Sequence, residues 1–216
     1  MSGLFITFEG PDGAGKSSQV QLVAEYLESQ QVSFLRTREP GGTKLSDLIR
    51  QIILDPEHQE MVEETEVLLY AASRAQHVRE KIIPALEAGY IVLCDRFVDA
   101  SVAYQGYGLG LGEDVIQSIN HLATGGLTPI RTYMIDLAPE LGKQRMQQRS
   151  SSEFTQSLDR IEQKELDYHR RVRAGFLQLA EKHERILLID GNQPIHSIFE
   201  EIKADLEQLL RTRVGK

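Results

Sequence analysis

The tightest constraint on this chain lies near its start. Gly10-Pro11-Asp12-Gly13-Ala14-Gly15-Lys16-Ser17 fits the pattern of a glycine, four residues, then Gly-Lys-Ser. Leu4-Phe5-Ile6-Thr7-Phe8 ahead of it is apolar and β-rich, as a buried strand would be. Behind it Val20, Leu22, Val23, Ala24 and Leu27 recur at helical spacing. Strand, glycine loop and helix together are the context in which this motif grips phosphate. Gly10, Gly13 and Gly15 let the backbone turn tightly, so that successive N–H groups aim at phosphate oxygens. The opening of the helix adds the positive end of its dipole. Lys16 can reach β- and γ-phosphates, and the Ser17 hydroxyl can ligate Mg²⁺. The expected triphosphate-binding residues are Gly10, Pro11, Asp12, Gly13, Ala14, Gly15, Lys16, Ser17 and Ser18.

The rest of the chain alternates strands with helices. Apolar runs at 32–35, 90–94, 132–135 and 186–189 read as further strands. Helical patterns fill 44–55, 62–86, 139–149, 158–184 and 195–210, with Thr43 as a helix cap, Pro84 as a bend or break and Gly89 as a stop. This order predicts an α/β fold, a parallel sheet of about five strands flanked by helices. In such sheets ligands bind beyond the carboxyl ends of the strands. Glu9-Gly10, Asp95-Arg96 and Asp136 all end strands and should face one cleft. A single domain over 1–216 is expected, with a mobile lid at about 143–160 around the small, polar run 150–157.

Bulk properties exclude some functions. A net charge of −8 argues against a nucleic-acid partner. No apolar run is long enough to span a bilayer, and Met1-Ser2-Gly3 leads into the first strand without a signal-peptide layout. The single cysteine, Cys94, permits no internal disulfide, which suits the cytoplasm. The six histidines lie too far apart to pair on a metal.

Other residues gather at the expected cleft. Asp95 can accept from Ser17 or from water around Mg²⁺. Arg96 beside it can clamp a phosphate. Tyr70 and Arg74 stand four apart on one helix face, which suits a base and a phosphate, or equally a core tyrosine and a surface arginine. Ser101, Tyr104 and Gln105 follow Arg96, and Gln105 carries the donor and acceptor that suit a base edge.

The Gly10–Ser17 loop residues, Arg38-Glu39-Pro40-Gly41-Gly42, Ala71-Ala72-Ser73-Arg74, Asp95-Arg96-Phe97, Ala103-Tyr104-Gln105-Gly106 and Leu158-Asp159-Arg160-Ile161-Glu162 resemble the thymidylate kinase family, in order and over essentially the whole chain. The resemblance implies a P-loop NTPase fold and transfer of the γ-phosphoryl group of ATP to dTMP, with Mg²⁺. It implies that Arg74 and Arg96 hold the dTMP phosphate, that Arg50 lies near it, and that Tyr70 stacks on thymine where many relatives have Phe. Glu39, Ser101 and Gln105 join the dTMP site, Tyr104 lies beside the 2′ side of the sugar, and Asp12 lies near the 3′-hydroxyl and the metal. Ser17 and Asp95 are the implied metal contacts. The phosphate loop carries Gly13 and Ala14 where some members place an arginine, so the chain is similar to the bacterial type, whose arginines ride on a lid. Arg145 and Arg149 are the candidates there, with Arg160 as a third; Lys16, Asp12 and Arg96 complete the implied catalytic set. A homodimer through the apolar helices of 45–88 is implied as well. A kinase for another deoxynucleoside monophosphate, a nucleotide-driven switch and a non-catalytic nucleotide-binding module remain as alternatives.

Overall fold

Every residue of β1 (Leu4–Glu9) is buried, because this strand runs through the middle of the sheet with helices over both faces. The structure, a computed structural model, describes residues 3–150 and 158–214, and the side chains of 149, 150, 213 and 214 fall outside that description. Five parallel strands stand in the order β2-β3-β1-β4-β5, where β2 is Phe34–Arg38, β3 is Ile91–Asp95, β4 is Arg131–Asp136 and β5 is Ile186–Asp190. Helix α1 (Lys16–Ser29) and helix α9 (Ile195–Val214) cover one face. There Val20, Val23 and Leu27 meet Ile198, Ile202 and Leu206 over Ile6 and Phe8.

Parallel register does the positioning. Phe8 pairs with Asp95, and Asp95 with Arg38, so three strands end side by side. The residues that follow, Glu9, Arg96 and Glu39, therefore leave the sheet at one edge. The Arg96 N–H donates to Phe8 O at 3.0 Å and the Glu39 N–H to Asp95 O at 2.9 Å, which carries the ladder one step past the strands. Arg96 has φ 70°, an unusual value for a residue with a side chain. Gly10 (φ 131°) is required on two counts: its backbone is left-handed, and a Cβ there would run into the carbonyl of Ile135.

Several elements differ from the sequence reading. The second strand lies at Phe34–Arg38 rather than 32–35, because Arg36 and Arg38 can occupy a half-exposed edge strand. Helix α2 (Lys44–Leu54) is capped by Thr43, whose hydroxyl accepts from the Ser46 N–H at 3.2 Å. Its apolar stripe is not wholly inward: Leu45, Leu48 and Ile52 are exposed, whereas Ile53 is buried. Helix α3 (Glu63–His77) passes through a wide π turn (Val78–Ile82) into α4 (Ile83–Glu87). Pro84 has no N–H to give, and the wider turn just before it absorbs that loss. A second π turn (Val102–Gly108) extends the short helix α5 (Val98–Ser101) before α6 (Glu113–Thr124).

Helix α7 (Pro139–Ser150) follows β4, and α8 is confined to Leu166–Lys182. The helix expected from 158 begins late because Asp159 Oδ1 accepts from the N–H groups of Ile161 and Glu162, at 2.9 and 2.8 Å. Such a side-chain turn competes with helix. The polar run 151–157 lies outside the described residues.

Candidate functional site

Helix α1 has no side-chain cap; Gly15, in a left-handed conformation, stands before it. Its first amides are therefore left for a ligand rather than for the chain. Lys16, only 7% exposed, donates to Pro11 O at 2.7 Å, so the loop wraps its own ammonium group. Burial, helped by the Arg96 charge, lowers this lysine to about 8, against the pull of Asp12, Asp95 and Glu9. The Ser17 hydroxyl donates to Asp95 Oδ2 at 2.5 Å. Strand end and helix start thus present two hard oxygens at one point.

Arg96 links this loop to the far wall. Its guanidinium donates to Gly10 O at 3.0 Å, to the Asp12 carboxylate and to the Tyr104 hydroxyl at 3.0 Å. Tyr104 in turn donates to Asp12 Oδ2 at 2.6 Å. Burial pushes Asp12 upward, but Arg96, Lys16 and the Tyr104 hydrogen bond outweigh it and hold the carboxyl below its usual value.

Arg74 lies deeper, 2% exposed. It donates to Glu39 Oε2 at 2.7 Å, Asn120 Oδ1 at 2.6 Å and Phe97 O at 3.1 Å. Glu39 is also held by His77 Nδ1 at 3.0 Å. Arg50 reaches Pro40 O at 2.9 Å from α2. Burial raises the Tyr70 phenol, with the charges of Glu66 and Asp159 adding to it, so the ring stays neutral.

Most of these groups line one cleft of about 450 Å³. It contains Asp12, Gly13, Gly15, Lys16, Ser17 and Ser18 at the loop end, and Tyr70, Ser101, Tyr104 and Gln105 at the other. Glu39, Arg50, Arg74, Asp95, Arg96 and Arg145 lie along it. Gly10 and Pro11 contribute through their carbonyls to Arg96 and Lys16. Ala14 is buried in the core beneath the loop.

Three expectations fail. Glu9 and Asp136 end their strands but do not line the cleft: Glu9 is fully buried and accepts from the Phe97 N–H, and Arg173 takes both carboxylate oxygens of Asp136, each at 2.7 Å. Arg160, unlike Arg74, does not line the cleft; it is 6% exposed and bound to Glu66 Oε2 at 2.7 Å and Ile53 O at 2.9 Å, which removes it from the candidates for a phosphate. The Arg149 side chain falls outside the described residues. Arg38 lines the cleft, as its place at a strand end implies, and so do Asp159 and Glu162, which carry no site role in the sequence analysis. The signal for these two was present in the Asp-Arg-Ile-Glu run, whose roles no local spacing defines. Burial, against hydrogen bonds from Glu162 and Ile161, raises Asp159 above its usual range.

Known proteins resemble this chain over nearly its full length. The family model described as thymidylate kinase matches residues 8–202. A thymidylate kinase of Exiguobacterium sibiricum is 54% identical, over 99% of this chain and 98% of its own. One of a Geobacillus species is 46% identical, over 92% and 93%. The crystal structure of thymidylate kinase from Ehrlichia chaffeensis superposes with a TM-score of 0.75 at 32% identity, covering 96% of this chain and 99% of that one. With loop, sheet and full-length similarity in accord, this chain belongs to the thymidylate kinase family.

Proposed function

We propose that the cleft seats the two substrates of this family end to end, the ATP phosphates on the 10–18 loop and dTMP against the Tyr70–Gln105 wall. The reaction is ATP + dTMP → ADP + dTDP. The observation that carries the assignment is the Arg96 guanidinium, which touches the phosphate loop and Tyr104 at once and so stands between donor and acceptor sites. Arg96, Arg74 and Arg50 take the acceptor phosphate, with Glu39 locking Arg74 in place. Tyr70 stacks on the base, and Ser101 and Gln105 meet its edge. The Tyr104 ring occupies the space that a ribose 2′-hydroxyl would need, and Asp12 lies toward the 3′-hydroxyl.

The chemistry needs positioning and charge rather than a general base. An oxygen of the dTMP phosphate attacks the γ-phosphorus while the bond to the β–γ bridging oxygen breaks. Lys16, the loop amides, Arg96 and Arg145 face the charge that shifts onto the bridging and equatorial oxygens. Arg149 belongs with Arg145 as the second lid candidate.

The Ser17–Asp95 pair fits Mg²⁺, a hard cation that takes one or two protein oxygens and keeps several waters. Bound there, the ion would neutralise phosphate charge. Among the described residues no group of three or more His, Cys, Asp and Glu gathers as a metal cage, and Mg²⁺ asks for none.

We read the chain as one kinase domain working in the cytoplasm, with no nucleic-acid or membrane partner. The net charge of −8 supports the first exclusion. No helix of the described residues is long and apolar enough to cross a membrane. A homodimer is supported by Leu45, Leu48 and Ile52, exposed on one face of α2.

A coupled ADP-release assay over the nucleoside monophosphates, with ATP and Mg²⁺, tests the assignment. dTMP should be the preferred acceptor. A preference for a different deoxynucleoside monophosphate would overturn the base-pocket assignment.

A further inference from the structure

Glu66 lies on α3 one turn before Tyr70, and it is 2% exposed. Its Oε1 accepts from Gln105 Nε2 at 3.0 Å, and its Oε2 from Arg160 Nη2 at 2.7 Å. Arg160 is itself pinned: its Nε donates to Ile53 O at 2.9 Å and its backbone N–H to Leu54 O at 3.1 Å. Gln105, also 2% exposed, lines the cleft.

The donor inventory forces a direction. A carboxylate salt-bridged to an arginine accepts hydrogen bonds and gives none. Gln105 can satisfy it in one orientation, with its NH₂ toward Glu66. That leaves the amide oxygen as the group turned to the cleft. Pyrimidines differ at this edge: thymine and uracil carry a donor at N3, cytosine an acceptor. An oxygen pairs with the first kind and repels the second. A polar site aimed at one pattern rejects the other strongly, because its buried group is left unpaired.

We propose that Glu66 is a positioning residue for base selection. Held by Arg160, it fixes the Gln105 carbonyl outward, so that the cleft accepts bases with an N3–H and refuses cytosine. The inference rests on Gln105 lying at the base edge, as assigned above. It also explains Arg160, the arginine whose sequence context suggested a phosphate: it holds the other oxygen of the same carboxylate.

The test is Glu66→Gln, assayed for dTMP, dUMP and dCMP. Arg160 can only donate, so it takes the oxygen of the new amide. The NH₂ of that amide then faces Gln105, which must turn over and present its own NH₂ to the cleft. KM for dTMP and for dUMP should each rise about 10-fold with kcat within about twofold. The dCMP to dTMP ratio of kcat/KM should rise at least about 10-fold. An unchanged ratio, or equal losses on all three substrates, overturns the inference. Gln105→Ala separates the layers. Should it leave the KM for dTMP unchanged, the base-edge assignment itself fails; should it raise KM where Glu66→Gln does not, only the role of Glu66 fails. If Glu66→Gln shows no cooperative thermal transition, the wild-type protein decides. The Gln105 side-chain NH₂ signal, assigned by its loss in Gln105→Ala, should exchange slowly with solvent and move little on adding dTMP. Fast exchange, or a large shift with dTMP, overturns the proposal.

Discussion

Arg145 bridges two loops: its guanidinium lies 3.3 Å from the carbonyl oxygen of Gly13 in the phosphate loop and 3.2 Å from that of Gly191 after β5. Both acceptors are uncharged, so an incoming phosphate outcompetes them for this cation. Arg145→Ala should lower kcat by about 100-fold while leaving the KM for dTMP within a few-fold. Steady-state kinetics with dTMP varied at saturating ATP read both. An unchanged kcat would take Arg145 out of phosphoryl transfer.

Lys16 is buried, and burial lowers its ammonium group to about 8. ATP affinity in the free enzyme should therefore fall as pH rises through about 8, since the neutral amine has no charge to offer. Lys16→Arg should flatten that dependence, because a guanidinium stays protonated. Lys16→Ala should keep its thermal transition and lose about 100-fold or more in kcat. Calorimetric titrations with a non-hydrolysable ATP analogue from pH 6.5 to about 9.5 would check the profile.

Glu9 closes β1 with one carboxyl oxygen bonded to the Phe97 N–H at 2.7 Å and the other, Oε2, buried without a hydrogen-bond partner among the described residues. Burial, and the nearby charge of Asp99, raise it from 4.5 to about 8. Between those values the folded state holds a proton that the unfolded chain releases, so stability falls as pH climbs from 4.5 to about 8. Glu9→Gln is neutral throughout. Its Tm should exceed that of wild type by roughly 2–4 °C or more at about pH 8.5, with the difference shrinking toward pH 5. A constant offset at both ends would show that Glu9 does not titrate in this interval.

Arg74 and Glu39 form a salt bridge at 2.7 Å with side chains 3% and 2% exposed. Removing one partner strands a buried charge. Arg74→Met should cost about 3–5 kcal/mol in urea unfolding, besides weakening dTMP binding. A stability loss under about 1 kcal/mol would mean that water or another cation replaces the guanidinium.

Leu48 is 51% exposed on the face that Leu45 and Ile52 share. A charge there should oppose self-association without touching the core. Leu48→Glu is expected to sediment as a monomer where the wild type sediments as a dimer, with its Tm dependent on concentration only in the wild type. Equal sedimentation of the two proteins would move the interface elsewhere.

The phosphate loop, the ends of β1, β3 and β4 and the parallel sense of the sheet were legible in the chain because each depends on neighbours in sequence, whereas the end of β2 was not. Strand, glycines, Lys16 and Ser17 lie within one short stretch, and Asp95 follows directly from the apolar run of β3. The turn at 158–165 was not legible as a turn. Its residues permit helix, and only the Asp159 carboxylate bonding back to Ile161 and Glu162 excludes it. Nor did spacing separate Arg160 from Arg145, since both are cations near the same polar run.

What the sequence by itself determined is a phosphate grip at the edge of a parallel sheet, because periodicity and glycine placement act over a few residues at a time. What only the tertiary structure decided is which charges serve chemistry and which serve the fold. Arg160 meets Glu66 across 94 residues of chain, and Arg74 meets Glu39 across 35. The free energy of a buried cation depends on the acceptor that reaches it through space, a distance that no local pattern of residues records.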